Sequence, residues 1–222
     1  MKDPFNAAGR NALRTASILL VFSLVATALL SLAFTRTQPT IEKSEQAKRL
    51  ALLNQVLPPA LYDNDLLASR QTLPADERLG TQRPSSMWVA RRGGEVTAVA
   101  FEVIAPDGYS GAIHLLVGID VDGRVTGVRV TAHRETPGLG DYIDRAKSAW
   151  VEQFAGKDLL DPEPRLWKVA KDGGVFDARA GATITPRAVV KAVRQALEYF
   201  AQHRAAIVAP IPAQAPVKES TP

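Results

Sequence analysis

Apolar residues are unevenly distributed along this chain, and their spacing changes character several times. The first block, residues 15–35 between Arg14 and Arg36, carries no charge and is nearly continuously apolar over 16–34. At about 1.5 Å per residue a helix of this length spans roughly 30 Å, the thickness of a hydrocarbon core. Ser17, Ser23, Thr27 and Ser31 can return their hydroxyl protons to helix carbonyls, so they do not oppose a membrane helix. A cleaved signal peptide is the competing reading, because Ser31-Leu32-Ala33 resembles a small-x-small cleavage site. The apolar run is longer than the roughly 7–15 residues of a signal core, which favours an uncleaved transmembrane helix over 15–35.

Helical spacing returns after it. Ile41, Ala47, Leu50, Leu52, Leu53 and Val56 predict an amphipathic helix that Thr40 could cap and Pro58-Pro59 would stop. Residues 63–86 are polar and broken by prolines, so 36–86 reads as a connecting helix and loop.

From Met87 the pattern changes to strands. Residues 88–90, 96–104, 112–120 and 124–132 are rich in β-formers, and Asp122-Gly123 is a hairpin signal between the last two. Ile143, Ala146, Trp150 and Phe154 predict a helix over 142–154. A short strand is predicted over 167–170, then a turn at Asp172-Gly173-Gly174. A final helix over 186–204 has Thr185 as its candidate N-cap and Pro186 at its first position. The expected fold is α+β: one N-terminal transmembrane helix, then a domain over 87–205 with an antiparallel sheet flanked by helices. The proline-rich end, 206–222, is expected to be disordered.

Charge settles less than the pattern does. Lys2, Arg10 and Arg14 precede the apolar block, and Arg36, Lys43, Lys48 and Arg49 follow it. The denser N-terminal cluster, with the tendency of long domains to cross regardless, places residues 1–14 in the cytoplasm and the domain outside. A net charge of +4, from 27 basic and 23 acidic residues, is too small and too dispersed for a nucleic-acid partner. The chain has no cysteine, which excludes disulfides, thiolate metal sites and iron–sulfur ligation. With only three histidines, a histidine metal cage is not expected.

The most informative chemistry lies in Asp177-Ala178-Arg179-Ala180-Gly181-Ala182-Thr183, followed by Ile184-Thr185-Pro186. Small residues leave the approach to the Thr183 hydroxyl uncovered, and Gly181 can take backbone angles that larger residues resist. A helix start just beyond offers unpaired N–H groups and a dipole that favour a phosphate. Arg187 and Lys191 could screen its charge. The same residues also fit an ordinary loop entering a helix, with Asp177 in a turn and Thr185 as the cap.

The segment 177–183 resembles the flavinylation motif recognised by the FMN transferase of bacterial respiratory complexes, in which the final threonine carries FMN by a phosphoester bond. Ala180 departs from it, standing where the motif usually has serine or threonine. Gly108-Tyr109-Ser110-Gly111, Val117-Gly118-Ile119-Asp120, residues 133–141 with Glu135-Thr136-Pro137-Gly138-Leu139-Gly140, residues 150–154, Lys171-Asp172-Gly173-Gly174 and residues 183–190 resemble, in the same order, the G subunit of the Rnf electron-transport complex. The related C subunit of the sodium-pumping quinone reductase shares the threonine motif but is usually longer.

The resemblance implies a bacterial inner-membrane protein with its FMN domain on the periplasmic side. It also implies a redox subunit of a complex coupling electron transfer between ferredoxin and NAD to ion translocation, with no turnover of its own. Its implied partners are the other subunits and a flavin transferase that recognises Asp177, Gly181, Ala182 and Thr183. It implies that Thr183 bears the flavin, near Ala182, Gly181, Thr185, Thr136, Gly138, Leu139 and Lys171. His133 and Glu135 lie close together, but nothing near them completes a catalytic set, so no catalytic residue and no metal ligand is expected. The alternative from another class is a non-redox extracytoplasmic scaffold or binding domain.

Overall fold

The computed structural model of the chain describes residues 4–209, apart from the side chains of residues 4–11, 39, 40 and 42. The first helix, α1, is Pro4–Val56. One unbroken element therefore stands where the pattern predicts a membrane helix and a second helix starting at Thr40. The Thr40 backbone lies inside it, and the Thr40 side chain lies outside the described residues. The unbroken run follows from the absence of any glycine between Gly9 and Gly80 and from prolines too few to stop it: only Pro39 intervenes before Pro58. As expected, Ser17 donates to the Leu13 carbonyl at 2.9 Å and Thr27 to the Ser23 carbonyl at 2.8 Å. The chain divides into two compact units, Met1–Lys48 and Arg49–Pro222. In the first, the apolar side chains from Ile18 to Phe34 are exposed, and the helix is long and apolar enough to cross a membrane.

The second unit is built on a five-stranded antiparallel meander in the order β1-β2-β3-β4-β5: Gln71–Leu73, Ser85–Arg92, Glu95–Ala105, Ile113–Asp120 and Val125–Ala132. The four longer strands fall on the four segments rich in β-formers. The β4–β5 hairpin turns at Gly123, whose φ is +87°, while Asp120 Oδ1 accepts the N–H groups of Asp122 and Arg124. Strand β3 explains how the sheet is covered. Val99, Phe101 and Val103 face one core with the second helix, α2, Ile184–Val208. Ala98 and Ala100 face another core with Leu53, Val56, Leu57, Trp88 and Leu116. Small residues on that second face let the last turns of α1 approach closely. Gly118 and Gly127, partners in the β4–β5 register, complete the slot. A Cβ on Gly118 would collide with the Val56 carbonyl, and one on Gly127 would come within 2.9 Å of the Gln55 carbonyl.

Beyond β5 the structure departs from the helical pattern. Residues 142–154 form two 3₁₀ turns, Asp141–Ile143 and Trp150–Phe154, rather than an α-helix. The cause is side-chain competition for the backbone. Asp144 Oδ1 accepts the Ala146 N–H, while Ser148 Oγ donates to the Tyr142 carbonyl and accepts the Trp150 N–H. The apolar residues still point inward, and Trp150, Phe154, Trp167 and Phe176 form one aromatic cluster. The strand predicted over 167–170 reduces to a single bridge, Val169 to Phe176, between 3₁₀ turns Pro164–Leu166 and Ala170–Asp172. Helix α2 starts two residues before the prediction, with Thr183 at the N-cap position, so Thr185 is inside the first turn. Its end at Val208 overruns the start of the tail expected at 206, and residues 210–222 lie outside the described residues.

Candidate functional site

Three connecting segments of the second unit meet at the head of α2. They are the turn between β3 and β4, the loop that leaves β5, and the loop 177–183 that enters α2. Between them lies a cavity of about 350 Å³ lined by Tyr109, Glu135, Thr136, Leu139, Gly140, Gly181, Ala182, Thr183, Ile184 and Thr185. That volume falls in the range of pockets for small-molecule cofactors.

The loop 177–183 is held from below by the irregular segment 141–154. Trp150 Nε1 donates to the Asp177 carbonyl at 2.7 Å, and the Asp177 N–H donates to Gln153 Oε1 at 2.8 Å. The Tyr142 hydroxyl donates to the Ala182 carbonyl and accepts the Arg179 N–H, with the Arg179 guanidinium 4.8 Å above the Tyr142 ring. Burial raises the Tyr142 phenol above its ordinary value, against the lowering effect of the Arg179 N–H and charge, so the group remains a donor. Gly181 turns the chain with φ +83°, where a side chain would be strained although space is open.

The two threonines of the motif differ sharply. Thr185 is 1% exposed, and its hydroxyl donates to Glu135 Oε2 at 2.5 Å. Thr183 is half-buried in the cavity wall, and its hydroxyl makes no capping bond to α2. The first amides of α2, at Ile184 and Thr185, are left without a side-chain cap, and Pro186 has no N–H to satisfy. The head of the helix therefore presents positive dipole and free donors beside an unengaged hydroxyl.

Of the residues expected at the site, the fold brings Thr183, Ala182, Gly181, Thr185, Thr136 and Leu139 to one cavity. Gly138, Lys171 and Asp177 do not line it. Gly138 shapes the loop with φ +78° and donates its N–H to Asp141 Oδ1. Lys171 is exposed in a 3₁₀ turn, and the exposed Asp177 lies in a separate surface depression with Arg179. Neither cation expected to screen a phosphate lines the cavity. Arg187 grips both oxygens of Asp172 at 2.6 Å, and Lys191 pairs with Asp107 at 2.6 Å. The Arg187 guanidinium holds the Asp172 carboxyl below the usual carboxylate range.

Four lining residues were not among those expected: Tyr109, Glu135, Gly140 and Ile184. Tyr109, an aromatic side chain inside a Gly-Ser turn, carried a usable signal, since such a ring has little to pack against locally. Glu135 and Gly140 lie in the 135–140 run singled out in the sequence, but nothing there signals the hydrogen-bond partners of Glu135, which lie 25 and 50 residues away.

Comparison with known proteins bears on the family. The FMN-binding domain family matches residues 108–198, and the RnfG N-terminal region family matches residues 1–56. The G subunit of an ion-translocating oxidoreductase complex from Vibrio atlanticus is 47% identical over 92% of this chain and 95% of its own length. The corresponding G subunit of Pseudomonas aeruginosa strain UCBPP-PA14 is 49% identical over the same shares. That of Vibrio cholerae serotype O1 is 51% identical over 84% of this chain and 89% of its own.

Proposed function

We propose that this chain, which belongs to the family of G subunits of ion-translocating oxidoreductase complexes, is the membrane-anchored flavoprotein subunit of an Rnf-type complex. It relays electrons through FMN joined to Thr183 by a phosphoester bond, within a complex that couples transfer between ferredoxin and NAD to ion translocation. One observation carries the reading. Thr183 is the hydroxyl of the motif that is unengaged at the cavity wall, beside the uncapped head of α2.

The residues present suit the group. FMN, when bound, supplies the redox chemistry, and the protein supplies position and electrostatics. The α2 amides and dipole favour the negative phosphodiester at Thr183. Gly181 and Ala182 keep the approach clear, and Gly181 sets the angle at which the chain presents the acceptor. Leu139 and Ile184 offer apolar surface to the ring, Tyr109 an aromatic face, and Thr136 a hydroxyl for its polar edge. Thr183 is a tether in this scheme, not a nucleophile that turns over. Lys171 and Gly138 act from outside the cavity, Lys171 as a nearby charge and Gly138 through loop shape. The exposed Asp177 belongs, with Gly181, Ala182 and Thr183, to the surface read by a flavin transferase.

Helix α1 anchors the chain once in the bacterial inner membrane with the second unit on the periplasmic side. The exposed apolar side chains of its first unit and the basic residues before them support that placement. The uncharged run over 15–35, longer than the roughly 7–15 residues of a signal core, favours an anchor over a cleaved signal.

Co-expression with a flavin transferase tests the reading. Wild type should give a flavin-fluorescent band on a denaturing gel, and Thr183→Val should give none. An unlabelled wild type beside a labelled control substrate would leave the non-redox scaffold in its place. Co-purifying subunits of a sodium-pumping quinone reductase would instead make this a C-type subunit.

A further inference from the structure

The buried carboxyl group of Glu135 has no role in the scheme above, yet it joins all three walls of the cavity. Glu135 is 4% exposed and sits in the loop that carries Thr136 and Leu139. Its Oε1 accepts the Ser110 N–H at 3.0 Å, which fixes the turn bearing Tyr109. Its Oε2 accepts the Thr185 hydroxyl proton at 2.5 Å, which fixes the first turn of α2 next to Thr183. Its own N–H donates to His133 Nδ1 at 3.1 Å, holding the start of the loop.

Gly140 adds an independent observation. A Cβ there would stand 2.8 Å from Glu135 Oε2 and 3.0 Å from Thr185 Oγ1. The loop therefore closes over the Glu135–Thr185 pair, and a side chain at residue 140 would have to displace that pair. Gly140 has φ −87°, so its need is for space and not for an unusual backbone angle.

We infer that Glu135 is the positioning residue of the cofactor cavity, a buried strut that sets the spacing of Tyr109, Leu139 and the head of α2 around the flavin ring. The inference rests on Thr183 carrying FMN. A ring held only by its tether would swing on the nanosecond scale, whereas a ring clasped between three fixed walls would tumble with the protein. The strut thus acts on how the flavin is held, not on whether it is attached.

The experiment uses the full chain in detergent, flavinylated by co-expression, and reads the fluorescence anisotropy and visible circular dichroism of the bound flavin. Labelling of the wild type on a denaturing gel checks the underlying reading separately. Glu135→Ala should retain the covalent flavin while its anisotropy falls by about twofold or more and its visible dichroism collapses. Glu135→Gln should restore both, because its amide oxygen can accept from Ser110 and its NH₂ can donate to Thr185. A Glu135→Ala flavin as immobile as wild type would overturn the inference, and so would a Glu135→Gln flavin as mobile as that of Glu135→Ala. If Glu135→Ala does not fold, Thr185→Val and Thr185→Ser decide. Valine keeps the shape and loses the hydroxyl, so it should loosen the flavin, whereas serine should not. A Thr185→Val flavin held as in the wild type contradicts the strut.

Discussion

At the scale of single residues, the site depends on which polar groups are already engaged. Thr183 and Thr185 are two positions apart and chemically alike, but Thr185 donates its hydroxyl hydrogen bond to Glu135 and Thr183 makes no capping bond. The sequence motif points to Thr183, and in the fold its hydroxyl lies at the cavity wall without a capping bond. Gly140→Ala should force Glu135 or Thr185 aside and destabilise the unit by about 1–3 kcal/mol, seen as a lower melting midpoint of the full chain in detergent. An unchanged midpoint would mean that the loop gives way freely. Trp150→Phe keeps the ring but removes the bond to the Asp177 carbonyl. It should cost about 1 kcal/mol, with loosening visible as faster proteolysis within residues 177–183. Thr183, Ala182, Gly181, Thr136 and Leu139 were legible because each lies in a local run with recognisable chemistry. Glu135 lies in the same run as Thr136, but its bonds were not legible, because a buried carboxyl group is defined by donors that only the fold brings to it.

At the scale of elements, runs of β-forming residues marked the strands, and helical spacing failed only at 142–154. Strands β2 and β4 are buried almost throughout because both faces of the sheet are covered. Residues 142–154 keep a helical spacing of apolar positions, yet Asp144 and Ser148 capture the backbone, and the resulting 3₁₀ turns let Tyr142 and Trp150 reach the threonine loop. The slot made by Gly118 and Gly127 was invisible as well, since it depends on pairing across the hairpin. Gly118→Val should push the end of α1 off the sheet, because the obstacles are the Val56 backbone carbonyl and the Thr126 hydroxyl, and the first cannot rotate away. A loss of about 1–3 kcal/mol is expected by thermal or denaturant melting, and hydrogen exchange should quicken at residues 50–56. The pair between Arg187 and Asp172 joins α2 to the Gly173 turn. Since Asp172 titrates lower in the folded chain than the ordinary value near about 4, its contribution is present above that value and lost as pH falls through the lower folded one. The melting gap between wild type and Asp172→Asn should therefore narrow between pH 7 and about pH 2. A constant gap would show that the pair does not hold the turn.

At the scale of the whole molecule, the family assignment and the two compact units give a simple division of labour. Residues 1–48 carry the apolar stretch, and the unit from Arg49 carries the FMN-binding domain and the cavity at the head of α2. A single apolar helix without internal charge offers no ion path, so this chain contributes electron transfer and relies on its partner subunits for ion movement. In intact spheroplasts, added protease should degrade the second unit, and protection of that unit would reverse the proposed orientation. All of this turns on the tether. Peptide mass spectrometry of the chain matured with its flavin transferase tests it most directly. The account predicts one FMN, less the water lost on ester formation, on the peptide holding the motif, localised by fragmentation to Thr183 and gone in Thr183→Val. Flavin on Thr185 or Thr136, or none beside an active transferase, would contradict it.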